Sequence, residues 1–597
     1  MLRRYSLDKR KARTCLLVLA VLAFALSCAA GFYLSRERSE AQAAEEDAKA
    51  NLCERLAFTV PTEGGGSPER VACVTVGDAC CVFLPAYADM ARVKVSLQPG
   101  APLYLDGAPL SEGMDCGAFP LGQTLELSGE GLGTTPLVFL RSANVATLFV
   151  RTRSGSMDAI HADKSLKEEA ALTLYGADGS LDYQTLGVDK IRGHGQSSWL
   201  MRKKCYNLYL DYSSQLLGMS AAKKWVIIAN LPDRTCLRNW MVYTVARALG
   251  GYQGFAPDCR IVDVYLNGQY NGLYLLCEKV EIHPNRLNIN PQSWVFDFEQ
   301  ATRWKNLSNP FRFGEGIAVE IKKPSNCTNA QKKALKARLT EFQDALLADD
   351  GINPQTGKAW SDYIDLDSFA RKYLVEEVFQ NLDAGSCSQY YCWNADDDLI
   401  YAGPCWDYDC ILGNSKQKTP NCFLARREWK TPKIHTPWFG ALWRQEAFRD
   451  RVIELYRTEF RPALRDMVET DLPGEARTLQ TALDLNQLRW YDVPMDNPDT
   501  AKYVARLLDY LEKHLAFLDS AWIDGVDYRT ITFRLGDNEQ YQYYCLPAGS
   551  PCTDIPTPAD YKLEGDWYWS LEGGTPFDPE TILTDDLYLV AREASGG

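Results

Sequence analysis

Short runs in which apolar and polar positions alternate dominate the first half of the chain. Between Leu52 and Arg151, Ala91-Arg-Val-Lys-Val-Ser-Leu97 alternates cleanly. Pro136–Leu140 and Ala146–Arg151 are β-branched and aromatic, and Gly107 and Gly129 stand at turn positions. A period of two punctuated in this way predicts short strands and a small β-sandwich-like domain. From 152 to about 290 the runs lengthen: Leu172–Tyr175, Lys203–Leu210 and Lys224–Ala229 read as strands. Arg260–Cys277 reads as a hairpin turning at Asn267-Gly268. Asp233–Gly250 has helical spacing, with Asp233 at the cap position and Gly250 at the stop. Gly316–Ile321 adds a strand.

The period then changes. Ala330–Leu347, Asp367–Asn381, Trp438–Phe460 and Ala501–Trp522 carry apolar positions at helical spacing. Two strands, around Tyr390–Trp393 and Leu399–Ala402, interrupt this half, and the last 70 or so residues return to strand patterning. The fold class expected is α+β. The domains expected are a basic tail at 1–13, an anchor at 14–35, a stalk at 36–51, a β-rich domain at 52–151, a two-part domain at 152–526 (about 152–290 and 330–526), and a small β domain at 527–597.

Composition adds compartment. Met1–Arg13 holds six Arg and Lys residues against Asp8, and Thr14–Ser35 follows without a charge. That length spans a bilayer as one helix, and the basic flank predicts a cytoplasmic N-terminus with the bulk exported. A cleaved signal peptide, with Ser27, Ala29 and Ala30 near the cut, is the alternative. The chain has 19 cysteines, two of them in the anchor, and they lack the spacing of a zinc site. In an oxidising compartment local bridges are expected, Cys73 with Cys80, Cys81 or Cys116, and Cys545 with Cys552. The five histidines are dispersed. A net charge of −14 argues against a nucleic-acid partner.

The candidate chemistry lies in Asn381-Leu-Asp383-Ala and Ala402-Gly-Pro-Cys-Trp406-Asp407-Tyr-Asp409. Asp383, Asp407 and Asp409 sit among aromatic and apolar neighbours, whereas Asp396-Asp397-Asp398 reads as a solvated turn. Carboxylates leave water at a cost unless a cation compensates them, and a divalent metal on a phosphate ester is one such cation. The parts upstream follow the order of a phosphotransferase of the protein-kinase kind. A turn at Arg192-Gly193-His-Gly195 has N–H groups to cover phosphates. A lysine-bearing strand follows. On it Lys204 shares a face with Tyr206, Leu208 and Leu210 and so points inward, whereas Lys203 lies on the opposite face with Cys205 and Asn207. Lys204 is therefore preferred as the phosphate lysine. Glu278 and Lys279, at the end of the hairpin, read either as hinge residues at the adenine pocket or as an ordinary strand end.

The whole set resembles the CotH kinase family, named after a spore-coat protein kinase. It runs from Arg192-Gly-His-Gly-Gln-Ser-Ser-Trp199 and Lys203-Lys204-Cys-Tyr206 through Trp225–Asn239, Val264–Ile282 and Arg286 to Asn381-Leu-Asp383-Ala and Gly403-Pro-Cys-Trp406-Asp407-Tyr-Asp409, over roughly residues 150 to 465. The resemblance implies a bilobal atypical protein-kinase-like fold that uses ATP and Mg2+ (or Mn2+) to phosphorylate Ser or Thr on proteins. By position it makes Asp383 the catalytic base and Lys204 or Lys203 the phosphate contact. Asp407 becomes the metal ligand, helped by Asp409. Arg192 and Arg238 would structure the Gly turn and the helix. Where the family pattern has Asn after the base, this chain has Ser388-Gln389-Tyr390, and Gln389 is the candidate metal ligand there. No glutamate partner for the lysine can be identified.

Thr530-Ile-Thr-Phe533 through Ala591-Arg592 is similar to the small β-grasp repeats of bacterial surface proteins, the internalin B-repeat type, which implies a spacer or adhesion unit. The expected protein is a membrane-anchored extracytoplasmic kinase. The alternative is a cell-surface protein that keeps the kinase-like fold without activity and binds a partner.

Overall fold

Seven strands close into a ring. In order they are Ala222–Ile228, Cys205–Ser214, Asp189–His194, Lys167–Tyr175, Ala146–Thr152, Cys259–Leu266 and Gln269–Glu278, and the last pairs back onto the first. The computed structural model describes residues 52–594 apart from 63–65, 131, 315–316, 428–436, 496, 537–539 and 564. Leu148, Val150, Leu172, Leu174, Ile191, Tyr206, Leu208, Ile227, Val264 and Leu276 point into the ring and fill it. The outward residues are buried as well. Phe149, Tyr265 and Tyr270 pack against the N-terminal β domain, and Leu273, Leu275 and Cys277 against the helical half. At the Asn267-Gly268 turn both residues have positive φ, 51° and 85°, as a two-residue type I′ hairpin requires.

The N-terminal β residues form a six-stranded sheet and a three-stranded extension (Leu56–Val60, Glu69–Ala72, Lys94–Leu97) around one apolar core. The extension joins the ring's sheet where Gln269 pairs with Ala72. The boundary expected at 151/152 falls inside the Ala146–Thr152 strand of the ring.

Downstream lies a five-stranded sheet ordered Phe311–Phe313, Ile317–Lys323, Trp294–Gln300, Gln389–Trp393, Ile400–Ala402. Phe296 and Phe298 on one face pack with helices Asn329–Leu347, Leu366–Val378 and Trp438–Arg444 in the largest core cluster. The opposite face carries Asp297 and Glu299. Helix Ala501–Trp522 has the bounds its apolar spacing predicts. The four C-terminal strands are ordered Gln540–Pro547, Tyr528–Leu535, Leu587–Glu593, Trp567–Leu571, with the central pair parallel.

Several expectations change. The helix expected from Asp233 begins at Arg238. Asp233 instead braces the turn before it, accepting from Thr235 N at 3.0 Å and Arg238 N at 2.9 Å and pairing with the Arg238 guanidinium at 2.5 Å. Cys80 is bridged to Cys53 rather than Cys73; Cys73, Cys81, Cys116, Cys545 and Cys552 are free thiols. Cys545 lies in the helical core and Cys552 in the C-terminal sheet's own core, so burial separates that pair. The expected anchor and stalk lie outside the described residues. Among the described residues no helix is long and apolar enough to cross a membrane.

Candidate active site

Helix Leu366–Val378 ends in Gln380, whose φ of +47° turns the chain sharply into Asn381-Leu382-Asp383. The Gln389–Trp393 and Ile400–Ala402 hairpin then returns it to Trp406-Asp407-Tyr408-Asp409. Ser388 (φ +53°) and Asp407 (φ +71°) also have left-handed backbones. Side chains tolerate that region only where the surroundings enforce it, and such residues cluster at functional sites.

One buried glutamate ties the two limbs together. Glu376 accepts from Asn381 Nδ2 (2.6 Å) and from the hydroxyl of Tyr408 (2.7 Å), and pairs with Lys372 Nζ at 2.6 Å. Neither member of the ion pair has any exposed side-chain surface. From the other side Tyr408 N donates to Asn239 Oδ1 (2.7 Å), and Asp407 N to the Tyr243 hydroxyl (3.2 Å). Asp383 and Asp407 are thus held by a rigid polar core beneath them.

The carboxylates feel one another. Asp383 is raised to about 6, first by burial and then by the charge of Asp407, with Arg303 and Arg427 pulling it back. Asp409 is raised to about 8 by burial and then by Asp407. Asp407 is raised by burial, against the Ser388 hydrogen bond and the Arg303 charge. Asp407 is open to solvent, yet lies deep enough in the cleft for the surrounding protein to raise its pKa. Ser388 Oγ donates to Asp407 Oδ2 at 2.9 Å. Arg303 donates to Glu299 at 2.8 Å and touches the Cys387 thiol at 2.8 Å.

A basic cluster lies on the outer surface of the ring. Arg192 and Asn207 are cross-strand partners. Lys279 Nζ donates to Asn207 Oδ1 at 2.7 Å, and Asn207 Nδ2 to Gly193 O at 3.1 Å. Lys279 is lowered to about 8 by burial and then by Arg192 and Lys322. His194 is pushed well down by burial and by Lys279, Lys322, Lys164 and Arg192. Its ring meets Trp406 edge-on at 6.1 Å, which joins the basic cluster to the residue before Asp407. Lys322 enters from the five-stranded sheet, paired with Glu320 (2.6 Å) and Asp297 (3.2 Å).

The structure thus groups Asp383, Asp407 and Asp409 in one cluster, and Arg192 and Lys279 in another that meets it at the His194–Trp406 contact. It places the remaining expected residues elsewhere. Lys204 is half-buried at the end of the ring, where Nζ donates to Trp199 O (2.8 Å) and Met201 O (3.1 Å). Lys203 is buried, with all three donors used on Ala229 O, Leu273 O and Asn486 Oδ1. Glu278 is locked to Arg286 at 2.7 Å. Gly193 lies within a strand. A side chain there would meet Trp199 and Lys164 at 2.6 Å, so close packing demands the glycine. The Gly195 carbonyl accepts from Lys164 Nζ at 2.7 Å. Gln389 is fully buried; its Nε2 donates to Cys387 O (3.3 Å) and Glu376 (3.4 Å), and its Oε1 is buried without a hydrogen-bond partner.

Ser388 is the residue that faces Asp407. Its position, five after Asp383, was the available signal. Arg303, His194, Asn207 and Lys322 were missed, since no local motif marks them.

Mg2+ fits this donor set. Burial raises all three carboxylates, Asp407 adds to the rise of the other two, and Asp407 is open to solvent beside the Ser388 hydroxyl. Among the described residues no three His, Cys, Asp or Glu side chains form a group that could hold an ion by themselves. Mg2+ needs only one or two carboxylates when phosphates and water complete its shell.

No curated protein matches the chain. The crystal structure of a Helicobacter pylori proinflammatory kinase, CtkA, aligns over 54% of this chain and 94% of that chain, at 9% sequence identity. Its TM-score is 0.25, too low to carry an argument about fold. The family model described as CotH kinase protein matches residues 191–518, more than half of the chain, and that span includes Arg192, Lys279, Asp383, Asp407 and Asp409. The chain belongs to the CotH kinase family.

Proposed function

We propose that the protein transfers the γ-phosphoryl group of ATP to Ser or Thr hydroxyls of a protein substrate. The observation that carries this reading is the contact that joins an acidic loop to a basic cluster. Carboxylates raised by burial (Asp383, Asp407, Asp409), with Asp407 on left-handed backbone, are joined through the ring contact of Trp406 with His194 to a cluster that holds Arg192 and Lys279, all within the family match. Phosphoryl transfer asks a protein mainly for positioning and charge stabilisation, and these are the two charges it needs.

Asp383, raised only to about 6, is ionised at neutral pH and accepts the proton of the acceptor hydroxyl. The hydroxyl oxygen bonds to the γ-phosphorus, the bond to the β-phosphate oxygen breaks, and ADP leaves. Lys279 and Arg192 bind the phosphates. Asp407, helped by Asp409 and the Ser388 hydroxyl, would hold Mg2+ or Mn2+. When bound, that ion neutralises charge on the phosphates and fixes their orientation. The Glu376 network keeps Asp383 and Asp407 in register throughout.

In this reading the ring with its basic cluster and the helical half with its acids are the two lobes of a kinase-like domain, flanked by the β-rich residues that precede the ring strand Ala146–Thr152. The C-terminal sheet, in the order second–first–fourth–third with its central pair parallel, supports a β-grasp-like module. The uncharged Thr14–Ser35 supports a membrane anchor with the bulk outside the cytoplasm. One observation favours the inactive alternative: Ser388, shorter than Asn, is already bonded to Asp407. Nucleotide-dependent thermal shift with Mg2+ or Mn2+, paired with label transfer from γ-labelled ATP, separates the two. Binding with transfer supports the kinase, and binding without transfer supports the alternative.

A further inference from the structure

The segment Lys416–Arg427 runs between the C-terminal sheet and the loop that carries Asp383, and is bonded to both. On the sheet's side Gln417 pairs with the backbone of Tyr543 as a neighbouring strand would. Its Nε2 donates to Tyr543 O at 2.9 Å, and Tyr543 N donates to its Oε1 at 3.2 Å. Thr419 Oγ1 donates to the same carbonyl at 2.7 Å. Gln542 Nε2 donates to Lys416 O at 2.9 Å, and Cys545 N to Asn421 O at 2.7 Å. Tyr543 and Cys545 are packed into the core of the helical half, whereas Ile531, Phe533 and Leu589 fill the sheet's own core.

On the loop's side Gln380 Nε2 donates to Pro420 O at 3.0 Å and Cys422 O at 3.1 Å. The buried Glu377 carboxylate accepts from the backbone N–H of Leu424, of Ala425 (3.2 Å) and of Arg426 (3.3 Å). Arg427, also buried, donates to Leu382 O at 2.5 Å and to Leu424 O. The left-handed backbone at Gln380 and the carbonyl next to Asp383 are therefore gripped by a segment that the C-terminal sheet itself grips. Strained backbone persists where the surroundings over-determine it, and here part of those surroundings lies beyond the family match, which ends at residue 518.

We propose that the C-terminal sheet is a positioning element for the loop bearing Asp383, coupled to it through Lys416–Arg427, with Arg427 as the positioning residue. The importance of that loop to catalysis rests on the phosphotransfer reading; the mechanical coupling does not. A spacer that merely follows the domain would leave the loop unchanged when its seam is loosened.

The test is hydrogen exchange on the full chain carrying Gln417→Ala and Thr419→Val, which removes the three bonds to Tyr543. Amides of 380–388 are expected to exchange about tenfold faster than in wild type, together with those of the seam, because lost buried hydrogen bonds lower local opening free energies. The ring strands should be unaffected. In a transfer assay kcat should fall while the nucleotide KM stays put, and Arg427→Lys should lie between wild type and Arg427→Met. Should the double variant fail to fold, Gln542→Ala opens the same seam more gently. Faster exchange at the seam with 380–388 as protected as in wild type overturns the proposal. If the wild type transfers no phosphate, the phosphotransfer reading fails, and the exchange result alone decides the coupling.

Discussion

The two clusters of the site are built in different ways. The acidic cluster comes from one stretch of chain, in which a hairpin brings Asp407 back to Asp383 and both rest on Glu376. The basic cluster is assembled from separate strands: Arg192 and His194 from one, Asn207 from the next, Lys279 from the end of a third and Lys322 from another sheet. A cluster made by one hairpin can be read from local spacing. A cluster made by distant strands requires knowing which face of each strand meets the site.

The largest effects should break the acidic cluster. Asp383→Asn is expected to lower kcat by about 10²–10⁴-fold, the range for loss of a general base, with nucleotide affinity retained by equilibrium titration. Lys372→Met leaves Glu376 buried and unpaired, which costs about 3–5 kcal/mol of stability. Chemical denaturation measures that loss.

The basic cluster gives the next contrast. Lys279→Met should reduce kcat/KM by about 10²-fold or more, as when one preorganised charge contact is removed. Lys204→Met should change kcat/KM far less while lowering the unfolding midpoint, since that ammonium serves two carbonyls at the ring's end. Equal losses at the two lysines would erase the distinction drawn here.

The pH dependence sharpens the same contrast. Asp383 must be ionised, so kcat/KM should fall as pH drops through about 6. Lys279 must be protonated, so kcat/KM should fall as pH rises through about 8. Lys279→Arg should remove the alkaline limb and leave the acid one. The smallest effect is expected at Asp397→Asn, on the exposed turn of the hairpin, where activity should match wild type.

This difference explains what could be read from the sequence. The strands, the Asn267-Gly268 turn and the helix Ala501–Trp522 follow from periodicity, as do Asp383 and Asp407 from their apolar setting. The positions of the lysines do not. The apolar face that Lys204 shares with Tyr206 and Leu208 is the ring's interior, whereas Asn207, which holds Lys279, lies on the opposite face. Gln389 failed for a similar reason. The residue that reaches Asp407 is set by the backbone twist at Ser388, a left-handed position that the residue type does not announce. The Glu376 hub escaped notice because its partners come from the helix, the loop and the returning strand.

The central claim is that Asp407 and Asp383 form one phosphotransfer site. It is tested most directly by transfer of label from γ-labelled ATP, with Mg2+ or Mn2+, by wild type and by Asp407→Ala. The account predicts label on the protein or a Ser/Thr acceptor with wild type, and about 10³-fold less with the variant, as expected when metal-assisted charge stabilisation is lost. Transfer by Asp407→Ala at the wild-type rate, or a wild type that neither transfers label nor shifts in melting with nucleotide, would contradict it.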